Sequence, residues 1–127
     1  MAGYHADIEK ITLRNEYFRE VLFTGPHSQL VVMAIKPGDE IGQEIHNGND
    51  QFFRIEAGKG KAVLAGKEYP LEDGMVVVVP AGVQHNIINT SANEMLKLYT
   101  IYSPPQHPEG TVHKTKAEAD AHEHHHQ

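Results

Sequence analysis

The stretch EIGQEIHNGNDQFF, residues 40–53, places a carboxylate at Glu44, an imidazole at His46 and an amide at Gln51 close together in the chain. Side chains alternate along a β-strand, so Glu44 and His46, two positions apart, point to the same face. The run Asn47-Gly48-Asn49-Asp50 reads as a turn that brings the next strand back beside them. Gln51 opens that strand, while Asp50 faces the other way and belongs to the turn. A second stretch, GMVVVVPAGVQHNIIN at 74–89, adds His85 after an apolar strand and a Pro-Ala-Gly turn. A sheet that curls on itself can gather Glu44, His46, Gln51 and His85 inside it. A carboxylate buried there is costly unless it meets a cation, a metal or a hydrogen-bond network. Imidazoles add the capacity to move protons near neutral pH.

The elements that must hold these residues read as strands. Residues 17–24, 29–35, 51–57, 61–65, 75–79, 84–89 and 95–102 are short and rich in β-branched and aromatic side chains. Turn signals such as Pro37-Gly38-Asp39, Gly58-Lys59-Gly60, Asp73-Gly74 and Pro80-Ala81-Gly82 separate them. That rhythm predicts an all-β, antiparallel sandwich or barrel. After Pro104-Pro105, Thr115-Lys116-Ala117-Glu118 has the form of a capping box, which predicts a short terminal helix. The expected organisation is an N-terminal segment (1–16), a β-barrel (17–105), a loop and short helix (106–121) and a disordered histidine-rich tail (122–127).

Composition narrows the functional classes. A chain of 127 residues suits one domain with a real core. It has no cysteine, which excludes disulfides, thiolate metal sites and cysteine catalysis and fits a reducing cytoplasm. A formal charge of -6 argues against binding nucleic acid. No apolar run approaches the roughly 18 residues of a membrane helix, and the N-terminus lacks an apolar signal core. Four of the ten histidines lie in the tail HEHHHQ, which carries no functional weight.

Residues 38–58 and 74–89 resemble the two motifs of the cupin superfamily. The first motif runs Gly, five residues, His-x-His, three or four residues, Glu, six residues, Gly; here Gly38, Glu44-Ile45-His46, Gln51 and Gly58 stand at those spacings. The second runs Gly, five residues, Pro-x-Gly, two residues, His, three residues, Asn, and is complete as Gly74, Pro80-Ala81-Gly82, His85 and Asn89. The resemblance implies a single-domain jelly-roll barrel (the RmlC-like double-stranded β-helix), often dimeric, with one divalent metal at Glu44, His46, Gln51 and His85. Two residues depart from the family pattern: Glu44 replaces the first histidine and Gln51 replaces the glutamate. Two imidazoles and one carboxylate remain, a set that suits Fe, Mn, Zn, Co or Ni. Gln51 is expected either to bind weakly or to hydrogen-bond a bound water or substrate.

The resemblance allows three functional classes. The favoured one is a metal-dependent isomerase, epimerase or lyase acting on a small sugar or hydroxy-carbonyl compound, of the kind called mannose-6-phosphate-isomerase-like. An Fe(II) dioxygenase and a non-catalytic small-molecule binding module are the alternatives. Glu44, or His107 from the loop YSPPQHPEGTVH, is the expected proton carrier. Met33, Phe53, Ile87 and Tyr102 are expected to line the pocket. Arg54 is the only arginine close to the metal strands in sequence, and alternation points it away, which disfavours a phosphorylated substrate. The expected partners are a small molecule and a second copy of the chain, with no nucleic acid and no membrane; an exposed sheet edge favours the homodimer.

Overall fold

The computed structural model describes residues 2–125, with side chains through His122. Strands β1 (Arg19–Thr24), β2 (Gln29–Ile35), β3 (Asp50–Ala57), β4 (Lys59–Leu64), β5 (Lys67–Glu72), β6 (Val76–Val79), β7 (His85–Asn89), β8 (Leu96–Ser103) and β9 (Val112–His113) form two sheets. One sheet has the order β6-β3-β8-β2-β1-β9 and the other β5-β4-β7, with antiparallel pairing throughout. This is the all-β, antiparallel architecture that the strand rhythm predicts, in the jelly-roll form that the cupin resemblance implies.

Alternation decides which side chains meet between the sheets. In the large sheet Gln51 pairs with Val79 and Tyr102, and Tyr102 pairs with Gln29, which forms one cross-strand row. The next inward row is Val77, Phe53, Thr100 and Val31, followed by Ile55, Leu98 and Met33. The small sheet closes the core with Ala62, Leu71 and Ile87. Apolar burial at about 25 cal/mol per Å² makes this core the main stabilising element. Gly58 marks where it leaves no room: its φ is +92°, and a Cβ there would collide with the Met95 carbonyl oxygen.

Several elements differ from the expectations. A short helix, α1 (Ile8–Arg14), lies in the N-terminal segment, where Asp7 caps it by accepting the Lys10 N–H at 3.1 Å. It packs against β8, β3 and β2, and buries Thr12. Strand β5, KEYPLE, escapes a periodicity reading because only Leu71 is buried in it. The terminal helix α2 (Lys116–His125) begins where Thr115 Oγ1 accepts the Glu118 N–H at 3.1 Å. It therefore continues into the tail expected to be disordered; residues 126–127 lie outside the described residues. Among the described residues no helix is long and apolar enough to cross a membrane.

Candidate metal centre

The segment carrying Glu44 and His46 is not the regular strand its alternation suggests. Gly42, at φ +111°, interrupts it. Backbone hydrogen bonds nevertheless attach it to β7 and the turn before it. Asn89 N donates to Asp39 O at 2.9 Å, Ile41 N to Ile87 O at 2.9 Å, and Gly82 N to His46 O at 2.9 Å. Glu44 and His85 exchange both bonds, at 2.8 and 2.9 Å, as an isolated antiparallel bridge. The two motifs thus meet through the main chain, and their side chains follow. Asp50, expected in the turn, instead opens β3 opposite Ser103, and its Oδ1 accepts the Ala81 N–H at 2.9 Å.

Glu44, His46 and His85 each bring one ligand atom within 4.8 Å of the other two. His46 Nε2 lies 3.7 Å from Glu44 Oε1, and the two imidazole rings are 5.4 Å apart between centroids. His85 Nδ1 is 2.9 Å from the Val83 carbonyl oxygen. A carbonyl only accepts, so the proton sits on Nδ1 and the Nε2 lone pair is free. His46 Nε2, His85 Nε2 and Gln51 Oε1 are all buried without a hydrogen-bond partner. Orphaned imidazole nitrogens beside a carboxylate are costly in a dry interior and fit a cation. Two imidazoles and one carboxylate match the chemistry of a divalent first-row ion.

Gln51 and Tyr102 stand behind this group. Gln51 Nε2 donates to Thr100 Oγ1 at 3.0 Å, which leaves the amide oxygen as its free end. The Tyr102 ring meets His46 edge-on at 5.9 Å, and Phe53 meets His85 at 6.3 Å. Met33 and Ile87 belong to the hydrophobic core. His107 Nε2 lies 3.3 Å from the Tyr102 hydroxyl, with the rings in a T at 5.1 Å. Burial, and next the Arg19 charge, push His107 down to about 3, so its ring is neutral at ordinary pH. Gln29 fixes this loop: its Nε2 donates to His107 O at 2.8 Å, and its Oε1 accepts from Gln106 N at 3.1 Å and His107 N at 3.0 Å. A cleft of about 220 Å³ borders His85 and is lined also by Gln43, Gln84 and Asn86.

Arg19 is the residue that sequence reading missed. Arg54 does face away, held by Glu56 at 3.1 Å, but it is not the arginine that matters here. Arg19 is buried, and its NH1 lies 3.3 Å from His113 Nδ1. The available signal was alternation in REVLFT, which puts Arg19 on the same face as buried Val21.

A family model, the cupin domain, matches residues 31–102. The chain is 49% identical over 113 residues to the uncharacterized protein L612 of Acanthamoeba polyphaga mimivirus, covering 86% of this chain and 70% of L612. It is 47% identical over 121 residues to the uncharacterized protein YrkC of Bacillus subtilis, covering 91% of this chain and 64% of YrkC. It thus spans about two thirds of the length of these relatives. The crystal structure of BH2720 from Bacillus halodurans superposes with a TM-score of 0.92 at 44% identity, covering 94% of this chain and 95% of that one. With the match at residues 31–102 spanning more than half of its 127 residues, this chain belongs to the cupin family.

Proposed function

We propose that Glu44, His46 and His85 hold one divalent ion, Fe, Mn, Zn, Ni or Co, with Gln51 Oε1 as a weaker fourth donor. On this reading the protein is a metal-dependent isomerase, epimerase or lyase acting on a small sugar or other hydroxy-carbonyl compound. The observation that carries it is the pair of buried, unpartnered Nε2 atoms facing one carboxylate. Bound metal would supply a Lewis acid that polarises a carbonyl and steadies the oxyanion.

The chain's own residues supply the rest. Val83 fixes the His85 tautomer. Thr100 holds the Gln51 amide so that its oxygen faces a ligand or bound water. Glu44, whose side chain is 23% exposed against 11% for His46, has the most room to accept a proton. His107 is neutral and bonded to Tyr102, which suits it to position that hydroxyl rather than to deliver a proton. A homodimer is part of the same reading, supported by the apolar edge strand β6, where Val76 and Val78 are 52% and 59% exposed.

Metal analysis tests the reading, on protein in which His124, His125 and His126 are replaced by serine. The expected result is about one ion per chain, and losses of roughly 100-fold or more in affinity for Glu44→Ala and for His85→Ala, since even outer-shell changes cost 10–100-fold. If both variants keep full stoichiometry, the assignment is wrong. Solvent deuterium entering a sugar or sugar acid would then establish the proton-transfer chemistry.

A further inference from the structure

We propose that Arg19 forms a carboxylate-binding site in the interior between the sheets, so that the ligand of this protein is a small hydroxy- or oxo-acid. The ligand class rests on the proposed function; the anion site does not. Arg19 opens β1, pairs with His113 across the strands, and is 2% exposed, among the largest fully buried side chains of the molecule. A guanidinium carries five N–H donors. One of them meets His113 Nδ1 at 3.3 Å, and Nε is buried with no partner. The Phe18 ring covers its face at 5.2 Å. Among the described residues no carboxylate lies within 4.0 Å of it. Glu118, the acid felt by His113, is occupied by the Lys114 N–H at 2.6 Å.

A buried cation without an anion is strongly unfavourable, and neighbouring imidazoles cannot relieve it. Burial, and next the Arg19 charge, hold both His107 and His113 below the usual histidine value, so neither adds charge. An Nδ1 that accepts from the guanidinium also leaves the His113 proton on Nε2. A planar anion that accepts from the Nε side of the fork suits such a cation, which is the geometry of a carboxylate. His107 and Tyr102 connect it to the group of Glu44, His46 and His85. The Arg19 charge reaches His107, His107 bonds the Tyr102 hydroxyl at 3.3 Å, and the Tyr102 ring touches His46. A carboxylate answers Arg19, and a hydroxyl or carbonyl is what the proposed metal would take.

Thermal melts and titration calorimetry on the full chain, as purified and after stripping with chelator, test this with glycolate and its neutral analogue glycolamide as probes. Glycolate should raise Tm by several degrees over chloride of equal ionic strength, with or without metal, and glycolamide should not. Arg19→Met should keep the metal stoichiometry, weaken glycolate about 30-fold or more, and melt at or above the unliganded parent. A structural arginine would instead lower the melting point when removed. Equal effects of glycolate and chloride on the parent protein, or a full glycolate response in Arg19→Met, would overturn the site. The parent comparison needs no variant, so it decides even if Arg19→Met fails to fold. Loss of metal in the parent would count against the metal reading alone, because the stripped protein reports on Arg19 separately.

Discussion

Two polar clusters share the interior between the sheets, and they are opposite in sign. In the group of Glu44, His46 and His85 the unpartnered buried atoms are the two imidazole Nε2 nitrogens, beside a carboxylate. Around Arg19, His107 and His113 the unpartnered buried atom is a donor, Arg19 Nε, on a permanent cation. The first is suited to a cation and the second to an anion. In the first, His85 binds the Val83 carbonyl through Nδ1 and keeps Nε2 for the cluster, whereas His113 turns Nδ1 toward a guanidinium.

The largest effect that separates the two is on acid stability. An unfolded chain takes up the His107 proton below about pH 6.5, whereas the folded chain refuses it until about 3. In that window the unfolded state binds more protons, so stability rises with pH and is lost as pH falls from about 6.5 toward 3. Urea denaturation of metal-stripped protein should show His107→Gln losing less than the parent on acidification. The difference should reach at most about 2.5 kcal/mol by roughly pH 4.5. Parallel pH profiles for parent and variant would mean that His107 is not held neutral by its burial and by Arg19.

The group of Glu44, His46 and His85 was readable in the sequence and the Arg19 cluster was not, for a physical reason. Glu44, His46 and His85 lie near turns whose glycines fix the backbone, so their spacing carries the geometry. The regular strand expected through Glu44 and His46 is absent, yet main-chain bonds from Asp39 to His46 reach the same result. Arg19 and His113 are 94 residues apart and meet only because β9 returns to β1 as a two-residue strand, too short to leave a periodic signal. Helix α1 did leave one, since Asp7, Glu9 and Arg14 stand where a cap and a helix dipole want them. It is short, however, and its tertiary contacts to β8 rather than its propensity sustain it.

A smaller effect sharpens the contrast from the metal side. Gln51→Glu restores a carboxylate where the family pattern has one, and doubles the negative charge of a cluster that already holds Glu44. Divalent-metal affinity should rise roughly 10-fold, because a carboxylate is a stronger ligand than an amide oxygen. The metal-free protein should melt lower, because two close carboxylates repel in a poorly solvated site. Glycolate binding at Arg19 should not change. An unchanged metal affinity by competition with a chelating dye would place the Gln51 side chain outside the ligand sphere.

The smallest expected effect tests what holds Gln51 in place. Thr100 is fully buried and its hydroxyl is the partner of Gln51 Nε2 at 3.0 Å, while the opposite end of the amide has none. Thr100→Val keeps the volume but strands a buried donor, which costs on the order of 1 kcal/mol or somewhat more. If the free end of the amide serves a bound ion, the variant should also lose several-fold in metal affinity, because the amide can then turn its oxygen away. If Gln51 only fills space between Val79 and Tyr102, stability should fall while metal affinity stays level. Measuring both quantities on one preparation separates a positioned ligand from a polar residue of the core, a distinction that Gln51→Ala alone would blur by opening a cavity.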